Sequence, residues 1–112
     1  MKLTNLIVKR SELGVGYLYD SSTCKLCIMG HVGLACGVPK EMMKDVATPQ
    51  ELGMEQARLF PDWAVGVVLE KEDEILFDKS LTNILMEAND YNHLDDIVEL
   101  LKEVGVDVQF VD

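Results

Sequence analysis

The chain reads as a single α+β domain, with three to five helices around a small antiparallel sheet. Three observations predict this. Residues 94–104 carry apolar side chains at helical spacing, whereas Val106, Val108 and Phe110 alternate with Asp107 and Gln109 as in a half-buried strand. Thr48-Pro49-Gln50-Glu51 combines an N-cap, a proline at the first helical position and a glutamate three residues after the cap. No repeat, low-complexity tract or Ser/Gly linker divides the 112 residues, which are enough for one domain, 1–112, to bury a core without disulfide staples. Only 6% of the residues are aromatic, so that core is expected to be aliphatic.

From the N-terminus, Thr4 to Glu12 places Leu6, Ile7 and Leu13 near helical spacing, with Gly14 as a stop; a strand through Leu6–Val8 competes. Gly14 to Asp20 reads as turn plus strand, with Leu18 between Tyr17 and Tyr19. Asp20-Ser21-Ser22-Thr23 is turn chemistry, because these side chains bond their own backbone. Cys27 to Cys36 is apolar, and Gly30, Gly33 and Ala35 let another element pack close, so it reads as a buried helix capped by Gly37 and stopped by Pro39. A helix is expected from Pro49 to about Leu59, ending before Pro61. Trp63 to Leu69 is strand-like, Glu70 to Glu74 a charged turn, and Ile75–Phe77 a short partner strand. The next helix starts at Asp78 or Lys79, shows Leu81, Ile84, Leu85 and Ala88 on one face, and breaks at Asn89-Asp90-Tyr91-Asn92. Asn92 is then the cap of a last helix with the stripe Leu94, Ile97, Val98, Leu101 and Val104, closed by Gly105.

The net charge of −10 is unevenly placed. Residues 1–61 hold six acids and seven bases, a net of +1, whereas residues 62–112 hold fourteen acids and three bases, a net of −11. The second half repels phosphate backbones, which argues against direct nucleic-acid binding. It reads either as a solubilising surface or as a face that docks on a basic partner. No run reaches the roughly 20 apolar residues of a membrane span. Lys9 and Arg10 interrupt the first apolar stretch, and no cleavage site follows, so no signal peptide is expected and the expected compartment is the cytoplasm. The three cysteines, few and odd in number, agree with a reducing environment.

Cys24, Cys27, His31 and Cys36 are the most suggestive chemical group, with spacing C-x2-C-x3-H-x4-C. All four are good zinc ligands, and Cys3His sites are tetrahedral. Their order resembles the zinc knuckle, and Gly30-His31 stands where that motif carries Gly-His. The likeness covers thirteen residues, but three residues rather than four precede the histidine, and the neighbours Ile28, Met29, Val32 and Leu34 are not those that hold nucleotides. A knuckle turn excludes a packed helix here. In the helix, Cys27 and Cys36 are small buried hydrophobes and His31 a hydrogen-bonded core residue, with no cofactor. Cys24-x-x-Cys27 also has the spacing of a redox pair, without the βαβ context, and a Cys-dependent enzyme would draw on Cys24 or Cys27 with His93 and Asp95. Asp90, Asp95 and Asp96 lack the spaced loop of an EF-hand, and Gly14-Val15-Gly16 precedes its strand and so is no nucleotide loop.

Gly16, then Cys27-Ile28-Met29-Gly30-His31, Ala35, a later Asn89-Asp90 step and a closing amphipathic helix resemble small uncharacterised domains of bacteria and their phages, over residues 12–104. The resemblance implies a hairpin, a C-x-x-G helix, a closing helix and a phage or mobile-element context; it implies no activity. This chain carries His31 where those domains often have a small residue.

These features point to an accessory protein that binds another protein with a basic surface, rather than to an enzyme. The expected contact residues are Glu70, Glu72, Asp73, Glu74 and Asp78, or Asp95, Glu99 and Glu103. A specialised form of this reading is a nucleic-acid mimic that inhibits a host defence or nucleic-acid enzyme.

Overall fold

A computed structural model describes residues 3–61, 63–64 and 81–112. The architecture is α+β. Strand β1 spans Asn5–Lys9, β2 Tyr19–Asp20, β3 Lys25–Leu26 and β4 Asp107–Val111. Helix α1 spans Ile28–Ala35, α2 Lys40–Met43, α3 Met54–Ala57, α4 Leu81–Asp90 and α5 Leu94–Glu103.

The expected small sheet is present and is antiparallel in one of its two parts. It is split into a parallel pair, β1 with β4, and an antiparallel pair, β2 with β3. The parallel pair joins the two ends of the chain, from Asn5 opposite Asp107 to Lys9 opposite Val111. That partner decides the local structure of the N-terminus, where the competing strand through Leu6–Val8 forms in place of the helix. Leu6 and Val8 are buried while Asn5, Ile7 and Lys9 face out, a period of two that the β-branched Ile7-Val8 pair suits. Only Arg10–Glu12 keep a helical character, as one 3-10 turn.

The Asp20–Thr23 turn forms as expected. Asp20 Oδ1 accepts from the Ser22 amide at 2.9 Å, and Cys24 takes a positive φ of 60° to close the hairpin. Leu18 is fully buried, and its amide donates to the Val46 carbonyl at 2.7 Å.

Helix α1 lies at the centre. Ile28 through Gly33 are all buried, so the helix is enclosed on every side until its last two residues. Its small residues are where other elements cross. A Cβ on Gly30 would overlap the Leu18 carbonyl oxygen, and one on Gly33 would come within 2.6 Å of the Phe60 ring. The helix ends as expected: Gly37 has φ 99°, its amide bonds Leu34 O at 3.1 Å, and the Val38 amide bonds Gly33 O at 2.9 Å.

The helix expected over 49–59 is interrupted. Pro49–Glu51 form a 3-10 turn, and α3 begins only after Leu52-Gly53. The capping signal is present, since Glu51 Oε2 accepts from the Thr48 amide at 3.0 Å and the Thr48 hydroxyl at 3.1 Å. A good cap starts a helix but does not carry it across a glycine. Trp63 and Ala64 are helical rather than the start of a strand. The rest of that expected strand, the charged turn and Ile75–Phe77 lie outside the described residues.

Helix α4 continues through Asn89-Asp90, expected as a breaker. Asn92 is not the cap of α5; it ends α4. It takes a φ of 60°, its amide bonds Asn89 O at 3.0 Å, and the His93 amide bonds Ala88 O at 2.8 Å. Asparagine tolerates this left-handed position, which α1 and α5 fill with Gly37 and Gly105. His93 becomes the N-cap residue of α5, whose stripe falls as expected, with Ile97 and Leu101 buried and Leu94, Val98 and Val104 half-buried. After Gly105, Val106 is buried and β4 begins.

Candidate functional site

Three of the four chemical residues of the first half, Cys27, His31 and Cys36, are used in packing. Cys27 is the N-cap residue of α1 and Cys36 its C-cap residue, so the helix holds them at opposite ends. Burial pushes the Cys27 thiol up to about 11, against the lowering effect of the nearby α1 amides, and pushes Cys36 up as well. Desolvation therefore outweighs the helix N-terminus, and the Cys27 thiol stays protonated at neutral pH. The His31 Nε2 lies 3.0 Å from the Glu12 carbonyl oxygen, and burial lowers the ring's proton affinity. Cys24 is exposed on the hairpin, where its hydrogen bond raises the Tyr19 hydroxyl above the usual phenol range. The four expected zinc ligands thus do not converge, and no cluster of three or more metal-ligating side chains occurs among the described residues. The redox pair meets the same obstacle, with one thiol exposed and the other sealed in the core. His93 lies on the α4–α5 surface, 3.7 Å from Asp96.

Asn89 was legible as a helix breaker and as part of the Asn89-Asp90 step, and it proves to be the polar joint of the fold. Fully buried in the last turn of α4, it accepts from the Ile28 amide at 2.7 Å and donates to the Gly14 carbonyl at 2.8 Å. One side chain thereby satisfies the free first amide of α1 and a loop carbonyl. The next residue, Asp90, accepts from the Gly16 amide at 3.3 Å.

The acidic second half builds a different feature. Helices α4 and α5 pack as a hairpin joined by Tyr91, Asn92 and His93, and leave a groove of about 390 Å³ along their outer side. It is lined by Ile84, Glu87, Ala88 and Tyr91 from α4 and its end, and by Asp96, Glu99, Leu100 and Glu103 from α5, with His93 at the bend. Each set has the spacing i, i+3, i+4, i+7, one continuous helical face. Four carboxylates surround a floor that leaves Ile84 45% and Tyr91 69% exposed. Only the His93–Asp96 contact offers any of them a basic partner among the described residues.

Of the expected contact residues, Glu99 and Glu103 lie in this groove. Asp95 lies beside it, in a neighbouring depression with Arg10, Asn92 and Leu94. Glu70, Glu72, Asp73, Glu74 and Asp78 lie outside the described residues. Glu87, Asp96, Ile84, Tyr91 and Leu100 were missed. The signal that finds them is the second helical stripe, offset from the core stripe, starting at Ile84 and at Asp96.

Comparison with protein families, with curated proteins and with solved structures finds no match to this chain. Among the described residues, no helix is long and apolar enough to cross a membrane.

Proposed function

We propose that this is a small acidic accessory protein that works by binding another protein, and that the α4–α5 groove seats a basic, amphipathic segment of that partner. The observation that supports this reading is the lining of the groove: four carboxylates ring an apolar floor that the protein's own core leaves uncovered. An acidic solvated helix needs no exposed isoleucine and tyrosine between its charges. An apolar residue seated on Ile84, Tyr91 and Leu100 would remove that floor from water, at about 25 cal/mol per Å² buried. Lysine or arginine at the next turns of the partner would meet Glu87, Asp96, Glu99 and Glu103, which fixes register and speeds encounter. The resemblance to phage domains adds a mobile-element setting to the proposal, in which small accessory proteins act on host machinery.

The test uses a synthetic amphipathic Leu/Lys helix as probe, followed by amide chemical shifts. Binding is expected to map to residues 84–103, and to weaken at least tenfold in E99K/E103K while a matched reversal off the groove, E41K/E55K, leaves it intact. Equal losses from both pairs would reduce the effect to net charge and defeat the reading. Partial loss of affinity between low salt and 0.5 M salt, with a salt-resistant remainder from the apolar floor, is also expected. Complete loss would instead favour the nucleic-acid-mimic form, in which charge alone is recognised.

A further inference from the structure

A second cleft, of about 320 Å³, opens on the opposite kind of chemistry, between β1, the β2–β3 hairpin and α1. Its walls include Ile7, Leu26, Leu34 and Val111, and its charged rim is Lys9, Lys40 and Glu12. The strand alternation that buries Leu6 and Val8 turns Ile7 outward, 68% exposed, and Leu34 on the last turn of α1 is 40% exposed. These two apolar side chains share the cleft with Val111, the β4 residue opposite Lys9. Neither Lys9 nor Lys40 is in an ion pair among the described residues. Lys40 Nζ lies 5.9 Å from the Tyr19 ring centre, which draws it to the hairpin side of the cleft. In a chain of net charge −10, two unpaired ammonium groups against one carboxylate make this cleft locally cationic.

We propose that this cleft binds a small anionic amphiphile, an aliphatic carboxylate whose chain lies on Ile7, Leu34 and Val111 and whose head group is met by Lys9 and Lys40. The volume lies at the lower end of the roughly 300–1,000 Å³ typical of small-molecule sites, which suits a medium-length chain and not a cofactor. The apolar walls select against bare inorganic anions, and the lysines against neutral alcohols. The buried imidazole of His31, held on the Glu12 carbonyl, gives the cleft a rigid inner wall.

Octanoate is the probe, titrated into the full chain and followed by amide shifts, with octanol and acetate as controls. Octanoate is expected to shift the amides of Ile7, Lys9, Leu34 and Val111, with octanol and acetate each at least tenfold weaker. K9E/K40E should lower octanoate affinity at least tenfold, and I7S should lower it severalfold; both change exposed side chains and leave the core intact. Octanol binding as well as octanoate, acetate binding as well as octanoate, or no shift at these amides at millimolar octanoate would each overturn the proposal.

Discussion

Helices α1 and α5 stand at opposite ends of one design choice. The first hides Ile28 through Gly33 in the core and exposes only its last two residues; the second buries only Ile97 and Leu101 and turns Asp96, Glu99 and Glu103 to the outside. Residue types with the richest chemistry, Cys27, His31 and Cys36, sit on the enclosed helix, where burial makes the thiols poorer acids and the imidazole a poorer base. Plain carboxylates sit on the open helix, where they define a groove. Reactive residue types indicate function only when the fold leaves them reachable, and burial takes Cys27, His31 and Cys36 largely out of reach.

The largest effect that would break this contrast lies at Gly30. A side chain there must displace backbone at Leu18, so Gly30→Val is expected to cost more than about 3 kcal/mol or to abolish folding, read by thermal and urea melts. If Gly30→Val melts like the parent, α1 is not enclosed as described. Next is the joint between the two regions. Asn89→Asp keeps an acceptor for the Ile28 amide but faces the Gly14 carbonyl with a carboxylate, and Asn89→Ala leaves both groups unpaired; a loss of about 2–4 kcal/mol is expected for either.

Smaller effects come from pH. The Cys27 pKa is raised in the fold from 9.0 to about 11, so folding favours the protonated thiol. Its contribution is complete below pH 9 and is lost as pH rises from 9 to 11, on the order of 2 kcal/mol. Cys27→Ala should flatten that alkaline limb relative to the parent, beyond its own constant cavity cost. The sign is opposite on the acid side. The His31 pKa is lowered in the fold, so folding favours the neutral ring and stability falls as pH drops below 6.5. His31→Gln should remove that part of the acid sensitivity. The smallest effect belongs to the open helix: Gly105→Ala, at φ 86°, should cost about 1 kcal/mol, whereas E99K/E103K should change the melt by less than that.

Periodicity and punctuation carried much of the fold. The stripe from Leu94 to Val104, the glycine ends at Gly37 and Gly105, the Asp20–Thr23 turn and the enclosed helix between Cys27 and Cys36 are local patterns, and local patterns survive in a linear reading. Glu99 and Glu103 were legible as surface acids for the same reason. Gly53 showed the limit of a local signal, since the Thr48 cap formed and the helix still stopped.

Tertiary structure decided the rest, because the deciding partners are far apart in the chain. Strand β1 is a strand, and a parallel one, because β4 arrives beside it from a hundred residues away. Asn89 is a joint because the Ile28 amide and the Gly14 carbonyl come to either side of it. Cys27 and Cys36 are packing residues because their helix lies in the core, where burial raises both thiols. Composition and spacing determined which faces were apolar and which acidic; only the packing of α4 on α5, and of β1 beside α1, turned those faces into an acidic groove and a lysine-rimmed cleft.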